Sequence, residues 1–430
     1  MFEERSKMNI SNRNTYIPKD PLFKTLSKAS KPVASFIALQ EASGSLSNVR
    51  FIQDTVTNWV PKATFSRSKA DLAESSILEF TESFLVYYMP AILGEKIFRK
   101  IFSKNLLENE KKLVSTPARE LLNNKSLNSQ SMKKLNSVKA AIALAGLCIP
   151  LTQFCLNYVT NLFTLKVFKK ANFENIMNLN KKYKETKEEQ DKVKNSAVKN
   201  IKRAAIAGVA SVGLAALLAF KGHKSKSLQS LSEYILMPGK KLFKNNEKMA
   251  KWVDNYFSIE FANNKGKLSL SKGQITSCVF IAGLGYLGAA KDRGKQNFLE
   301  VLSRYPLVGF YVITGGSMLD KYFKKYLSKK DGYKDLIDKD LNVPRLDELP
   351  ELANKLSVKN NSSVENEFKK LFKEKSIITG VPFLFGLMFM GFFVAGITRF
   401  WTAYRCKKEH EQNECVPSII GQKIKDNSNL

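Results

Sequence analysis

The sequence predicts an all-α fold: a polytopic α-helical membrane protein with about four to six membrane-embedded runs and basic, largely helical loops. Apolar residues gather into a few long blocks, although the mean hydropathy of the chain is only -0.23. Between the blocks lie strongly charged stretches, and the 430 residues carry a net charge of +30 from 69 Lys and Arg against 39 Asp and Glu. This balance indicates an anionic partner, and the clustering of apolar residues favours anionic membrane lipid over nucleic acid.

Composition divides the chain into eight segments that differ in polarity. Apolar segments are predicted to lie in or on the membrane, and polar ones to form helices and loops outside it. The segments are a polar helical leader (1–76), an interfacial or spanning apolar run with a basic border (77–104), a membrane region with two spans and a charged helical connector (105–220), an amphipathic helix with a hairpin signal (221–272), a helical hairpin in the membrane (273–328), a small polar helical region (329–375), a terminal membrane span (376–405) and a polar tail (406–430).

The first apolar run, residues 77–98, is interrupted by Glu79, Glu82 and Pro90. The two glutamates are three residues apart and therefore share one face of a helix. If the run crosses the membrane, carboxylates within it are costly and mark an ion or proton path. If the run lies at the interface instead, the same acids stabilise the N-terminus of a helix.

The strongest predicted span is the run 138–165, which carries one charged residue, Lys139, near its start. It exceeds the roughly 20 residues that cross a bilayer. Pro150 predicts either a kink or the turn of a re-entrant element, because proline removes a backbone donor and clashes with the preceding turn. Three amides at four-residue spacing predict a polar face within the membrane: Gln153, Asn157 and Asn161.

Further apolar runs follow. The run 204–220 has small residues at four-residue intervals, which predicts a packing face for a helix-mediated oligomer or a membrane-protein partner. The runs 273–290 and 305–319 are predicted to be two crossings joined by the basic link 291–304. The run 376–404 ends in Arg399, Trp401 and Tyr404, a cationic and aromatic border suited to the headgroup level.

Three stretches between the spans are predicted to lie outside the membrane core. Residues 243–257 place aromatic residues and lysines on different faces of a helix, which fits either the membrane interface or packing on the protein itself. Residues 258–271 alternate around Asn-Asn-Lys-Gly, which indicates a short hairpin. Residues 331–375 contain a Ser362 to Glu365 capping box and predict a small helical region or a long polar loop.

A basic border, Lys-x-Phe-Arg/Lys-Lys, closes three apolar runs at 96–100, 166–170 and 321–325. Lysine stems lie along lipid while the ammonium reaches phosphate, and phenylalanine seats in the interface. The borders therefore predict lipid-headgroup contacts, with ordinary solvated loop charge as the alternative. The border cations are Lys96, Arg99, Lys100, Lys166, Lys169, Lys170, Lys321, Lys324 and Lys325.

A Gly-Leu-Gly-Tyr-Leu-Gly motif at 283–288 matches the dinucleotide-binding fingerprint and follows the strand-like stretch 275–282. The acidic residue that holds the ribose about 20 residues later in that fingerprint is missing. Cys406, His410 and Cys415 are too few and too widely spaced for a structural zinc site. We therefore predict no cofactor, no metal and no catalytic residue.

The five cysteines are odd in number and scattered, which fits a reducing compartment or the membrane interior. The charged arm 181–203 interleaves bases with acids and lacks stacking aromatics, so nucleic acid is not a predicted partner. The sequence favours a non-enzymatic scaffold or interaction protein in a membrane, by default a bacterial plasma membrane. The alternative is a solute or ion transporter that uses Pro150, Pro382 and glycine-interrupted helices around a midplane site; a dinucleotide-binding enzyme is the weaker alternative.

Overall fold

The computed structural model of the chain describes residues 18–42, 47–122, 127–180, 184–264 and 267–427. The all-α prediction is confirmed, since 81% of the chain is helical and 1% is strand. The helices are α1 (Ser30–Ala42), α2 (Ser47–Thr64), α3 (Lys69–Tyr87), α4 (Lys100–Phe102), α5 (Glu108–Lys112), α6 (Ala118–Leu121), α7 (Ser129–Ala145), α8 (Cys148–Phe168), α9 (Phe173–Ile176), α10 (Lys187–Lys221), α11 (Lys226–Leu236), α12 (Pro238–Leu242), α13 (Glu247–Phe257), α14 (Lys272–Asp292), α15 (Lys295–Phe310), α16 (Gly316–Leu327), α17 (Leu349–Asn360), α18 (Val364–Gly386) and α19 (Ala395–Asn427).

Wider or tighter helical turns connect several of these helices. Segments with π-helical hydrogen bonding are Pro90–Arg99, Tyr311–Gly315 and Leu387–Val394. Short 3-10 turns are Pro21–Thr25, Leu113–Ser115, Gly222–Lys224, Asp331–Tyr333 and Leu346–Glu348. Strands β1 (Ala262–Asn264) and β2 (Lys267–Ser269) pair antiparallel, where the sequence predicts a hairpin.

The chain divides into two compact units. The small unit comprises residues 1–53 and 314–390, and the large unit comprises residues 54–313 and 391–430. The small unit has an apolar core, in which Phe23 and Phe368 meet edge to face with ring centroids 5.0 Å apart. That core is formed by Phe23, Leu26, Ala34, Ile37, Ala38, Leu327, Leu336, Ile337, Leu346, Leu349, Ala353, Leu356, Phe368, Leu371, Phe372 and Ile378.

In the large unit, α10 packs antiparallel along both α7 and α8. Ser211 of α10 donates to the carbonyl of Leu144 at 2.6 Å, and Gly222, directly after the end of α10, lies against Ser137, earlier in α7. The earlier half of α10 packs on α8. Because one long helix follows both, α7 and α8 continue in the same direction, and the re-entrant turn considered at Pro150 is not formed.

The small residues of α10 are partly used within the chain. Ala204 and Ala215 are buried, and Gly208 faces Leu151 of α8, whereas Ala207 is exposed. Close helix approach of the kind predicted for 204–220 therefore occurs between α10 and the α7–α8 pair.

The pair α14 and α15 forms a tight antiparallel hairpin, but two predictions about it are wrong. The stretch 275–282 lies in the interior of α14 and is helical, not strand-like. The predicted link 291–304 is also mostly helical, because α15 begins at Lys295 and leaves only Arg293 and Gly294 between the helices. Gly294 permits this turn since its φ is +121°, a conformation open to glycine.

Four helical segments of the described chain are long and apolar enough to cross a membrane. They are Ser129–Phe168, Lys187–Lys224, Lys272–Asp292 and Val364–Glu411. The predicted runs 77–98 and 305–319 are not among them.

Candidate functional site

Helix α3 of the large unit is inverted relative to a helix of a soluble protein. Asp71, Glu74 and Glu79 are buried, whereas Phe80 and Phe84 on the opposite face are 45% and 41% exposed. A helix in water buries its apolar stripe and exposes its charges. Ionisable residues that face the protein interior, with apolar residues outside, are the arrangement expected when lipid is the solvent.

Helices α8 and α15 show the same inversion. On α8 the amides of Asn157 and Asn161 are buried while Val159 is 44% exposed. On α15 the buried side chains include Glu300 and Arg304. Large apolar side chains of the same helix are exposed, namely Leu302, Leu307 and Phe310.

The polar faces of α3, α8 and α15 meet residues of α14 and α19 around a cavity of about 70 Å³. A buried water needs roughly 10–15 Å³ of such volume, so the cavity has room for a few waters or one small solute. Charged side chains line it more densely than apolar ones do. They are the cations Lys62, Arg293, Arg304 and Arg399 and the carboxylates Asp71, Glu74 and Glu300.

Each of the three lining carboxylates is held by two parallel hydrogen bonds from an arginine. Arg399 donates to Asp71 at 3.0 and 3.1 Å. Arg293 donates to Glu74 at 2.9 and 2.6 Å. The third pair is Arg67 with Glu300, at 3.1 and 3.2 Å. Bidentate pairing gives each buried carboxylate both hydrogen-bond donors and a counterion, so none of these three carboxylates is free.

Arg304 is the cation of the cavity without such a partner. Its side chain is buried, with 7% exposure, and lines the cavity. Within the described part of the chain, no carboxylate oxygen lies within 4.0 Å of its guanidinium. It donates to the hydroxyl of Tyr286 and lies over the ring of the same residue, 5.5 Å from the centroid.

The predicted polar face of α8 contributes directly to the cavity. Asn157 and Asn161 line it, and Asn161 donates to the carbonyl of Ala289 in α14 at 3.1 Å. Gln153 is buried one turn earlier and does not line the cavity; its Oε1 is buried without a hydrogen-bond partner. Thr164, one turn further on, donates to Glu74 and so ties α8 to α3.

Glu79 and Glu82 lie beside the cavity without lining it. Glu79 is buried and forms an ion pair with Lys62, whereas Glu82 is partly exposed. The interpretation that they stabilise a helix N-terminus is wrong, because α3 begins at Lys69 and both acids lie in its second half. Asp71 occupies the first turn of α3, where its backbone N–H donates to the hydroxyl of Ser68 at 3.0 Å.

The basic borders lie on separate elements. In the first, Arg99 pairs with Glu95 at 2.7 Å while Lys96 and Lys100 are exposed. The second ends α8, where Lys169 adopts a left-handed conformation. The third lies in α16 of the small unit. The remaining border cations are placed as follows: Lys166 exposed, Lys170 bonded to the Asn175 carbonyl at 2.6 Å, Lys321 and Lys325 exposed, and Lys324 paired with Asp320 at 2.8 Å.

The motif at 283–288 lies in the middle of α14 and packs against aromatic residues. A Cβ added at Gly283 would lie 2.4 Å from the Tyr305 ring, and one at Gly285 would lie 2.8 Å from the Phe154 carbonyl oxygen. These glycines therefore allow helices to approach closely. The strand, turn and helix N-terminus that a dinucleotide fingerprint requires are not formed here.

Within the described residues, no three His, Cys, Asp or Glu side chains are grouped so as to hold a metal ion. His410 instead contacts Glu174 at 2.8 Å, and Cys406 is buried. The side chain of Cys415 lies outside the described part of the chain.

Most of the cavity's charged residues were not singled out from the sequence. One signal was available: in 69–87, the acids at 71, 74 and 79 follow helical spacing on the face opposite Phe80 and Phe84. The arginines give no comparable signal, because they come from helices far apart along the chain. Comparison with known proteins adds no assignment, since no protein-family model, curated protein or solved structure matches this chain.

Proposed function

We propose that this protein is an integral membrane protein that binds a polar solute in the cavity among α3, α8, α14, α15 and α19 and carries it across the membrane. The observation that supports the proposal is the convergence of polar faces on one cavity, combined with apolar, exposed opposite faces. A transporter needs polar groups that converge at membrane depth, whereas a scaffold does not.

Membrane insertion is supported by the apolar surface that the protein leaves uncovered. The apolar window of Lys187–Lys224 has a mean hydropathy of 1.9 and is 22% buried; that of Val364–Glu411 reaches 2.2 and is 17% buried. Apolar surface on this scale is unfavourable in water and favourable in lipid. On α13, Trp252 and Phe257 are also about half exposed, which fits a helix at the membrane interface.

Irregular helices also support a transport function. The π-helical segments Tyr311–Gly315 and Leu387–Val394 interrupt helices, the first between α15 and α16 and the second between α18 and α19. Pro306 and Pro382 lie inside α15 and α18. Interrupted helices are the elements around which secondary transporters bind their solutes and move.

Binding of anionic lipid is a second candidate function, and the surface of α10 favours it. Four cations within ten residues line one shallow depression on this helix. A cluster of positive charges is expected on a surface that binds anionic lipid headgroups. A protein with this function would act as a scaffold at the membrane. The four cations are Lys194, Lys199, Lys202 and Arg203.

The first experiment tests separately whether the protein is inserted in the membrane and whether the cavity is accessible to water. After an alkaline carbonate wash, the protein stays in the membrane fraction if it is inserted. In a background without native cysteines, Ser75→Cys places a thiol at the cavity wall and Val209→Cys places one on the exposed apolar face of α10. We expect a water-soluble thiol reagent to label position 75, and Val209→Cys to resist it.

Asn157→Leu combined with Asn161→Leu serves as the functional variant. Because both amides line the cavity, we expect slower labelling at position 75 and loss of solute flux into vesicles. Release of the protein by carbonate, or complete protection of position 75 in labelling from both membrane sides, would refute the proposal.

A further inference from the structure

We infer that the solute is a small anion of the carboxylate or phosphate class and that Arg304 binds it. This inference rests on the proposed function and specifies the substrate of the same cavity. It follows from the charges that line the cavity, from their pairing and from the size of the space.

The charges do not balance within the site. Four cations and three carboxylates line the cavity. Arg67 and Glu79, just behind the lining, pair with Glu300 and Lys62 and so add one charge of each sign. Once these pairs are matched, the guanidinium of Arg304 is left without a paired carboxylate among the residues that the structure describes.

A buried cation without a paired carboxylate is costly, because carboxylates further away, here Glu300, Glu79 and Asp71, offset only part of the lost hydration. The hydroxyl and ring of Tyr286 offset part of this cost, but both are neutral partners. A guanidinium has five N–H donors in a planar fork, which fits carboxylate and phosphate oxygens bidentately. The solute therefore supplies the missing negative charge.

A cationic solute is disfavoured by the same geometry. Asp71, Glu74 and Glu300 already receive two hydrogen bonds each from arginine. To bind a cation, the site would have to break one of these buried pairs and leave an arginine uncompensated.

The size and the neutral donors of the cavity fit a small anion. A volume of about 70 Å³ holds a few atoms and excludes a nucleotide. Asn157 and Asn297 line the same space and bring amide groups close to it. The anion has two sources: a free solute in water, or the phosphate of a lipid headgroup that enters the site.

The experiment uses the full chain in nanodiscs of phosphatidylcholine, which carry no net charge. Sodium acetate and sodium phosphate are titrated against sodium chloride at constant ionic strength, and the midpoint of thermal unfolding is recorded. Because a ligand that binds the folded state raises this midpoint, we expect a saturable increase with acetate or phosphate over chloride.

Three arginine variants test whether the stabilisation by anions depends on Arg304. Arg304→Gln removes the charge, and we expect at least about a tenfold loss of anion affinity, the value of one charge-assisted hydrogen bond. Arg304→Lys keeps the charge but not the fork, and should retain part of the affinity. Arg345→Gln makes the same change at a surface arginine and should leave the affinity unchanged. If Arg304→Gln does not fold, Arg304→Lys carries the test.

The possible outcomes answer three questions: whether an anion binds, whether it is a free solute or a lipid headgroup, and whether the cavity is accessible to water. Stabilisation by soluble anions in neutral nanodiscs identifies a free solute. Stabilisation that needs phosphatidylserine, is lost in Arg304→Gln and is insensitive to acetate and phosphate identifies a lipid headgroup. The absence of any anion or lipid effect, or an equal effect in Arg304→Gln, overturns the inference. If position 75 is labelled in that case, the cavity stands and only the anion is wrong; protection of position 75 refutes the proposed function instead.

Discussion

The apolar core of the small unit and the charged cavity region of the large unit are stabilised in different ways. Phe23, Leu349 and Phe368 are at most 3% exposed in the small unit, and its surface carries exposed ion pairs such as Lys369 with Glu365. In the large unit, charged side chains meet around the cavity, and α3, α8 and α15 expose apolar side chains on the side away from it, while a separate apolar core lies among other helices of the same unit.

The two regions differ in what stabilises them. An apolar core with charged surroundings is stabilised by transfer of apolar surface out of water. The charged side chains around the cavity gain nothing from that transfer, and this region depends on hydrogen bonds and charge pairing inside the protein. Substitutions in the two regions should therefore have different consequences even when their burial or exposure is the same.

The largest effect is expected from breaking a buried ion pair in the large unit. Glu74→Gln leaves Arg293 buried without a counterion, which costs about 3–5 kcal/mol. Glu365→Gln removes the charge from an exposed pair in the small unit, where a pair of this kind contributes about 0.3–0.5 kcal/mol. Thermal unfolding in detergent should show a much lower midpoint for Glu74→Gln alone. Equal midpoints would mean that the buried pairs do not hold the large unit together.

A charge placed on two highly exposed valines should distinguish lipid from water. Val209 of α10 is 76% exposed and Val358 of α17 is 85% exposed. Asp at position 209 should oppose membrane insertion by about 2.5–3.5 kcal/mol, whereas Asp at position 358 should have almost no effect. The carbonate-resistant fraction of each variant measures this difference. Insertion of Val209→Asp at the wild-type level would show that α10 does not face lipid.

The smallest effect concerns the glycines of the large unit. Gly285→Ala would bring Cβ to 2.9 Å from the Phe154 Cα, and we expect it to destabilise the fold by about 1–3 kcal/mol. Gly213 has no neighbouring atom within 4 Å of an added Cβ, so Gly213→Ala should stabilise α10 by about 0.5–1 kcal/mol. A lower thermal midpoint for Gly285→Ala and a higher one for Gly213→Ala, each relative to the wild type, would confirm that Gly285 allows close helix packing. Detectable NAD binding that disappears in Gly285→Ala, with an unchanged midpoint, would instead favour a nucleotide site.

Helical content and the main apolar blocks were predictable because both depend on local sequence. Apolar run length locates the long apolar segments, and a four-residue spacing places Asn157 and Asn161 on one helix face. The glycine motif was misleading for the same reason. Local sequence cannot distinguish a glycine that approaches a phosphate from Gly285, which approaches another helix.

The sequence by itself therefore determined the helical fold, the four long apolar segments and part of a polar face. Only the tertiary structure decided that α7 and α8 run on past Pro150, and which charges meet. Asp71 and Arg399 are 328 positions apart in the chain, and Glu74 and Arg293 are 219 apart. Pairing over such distances depends on how whole helices pack, and so does the absence of a carboxylate beside Arg304 among the residues that the structure describes. Hydropathy and periodicity report only on one helix at a time.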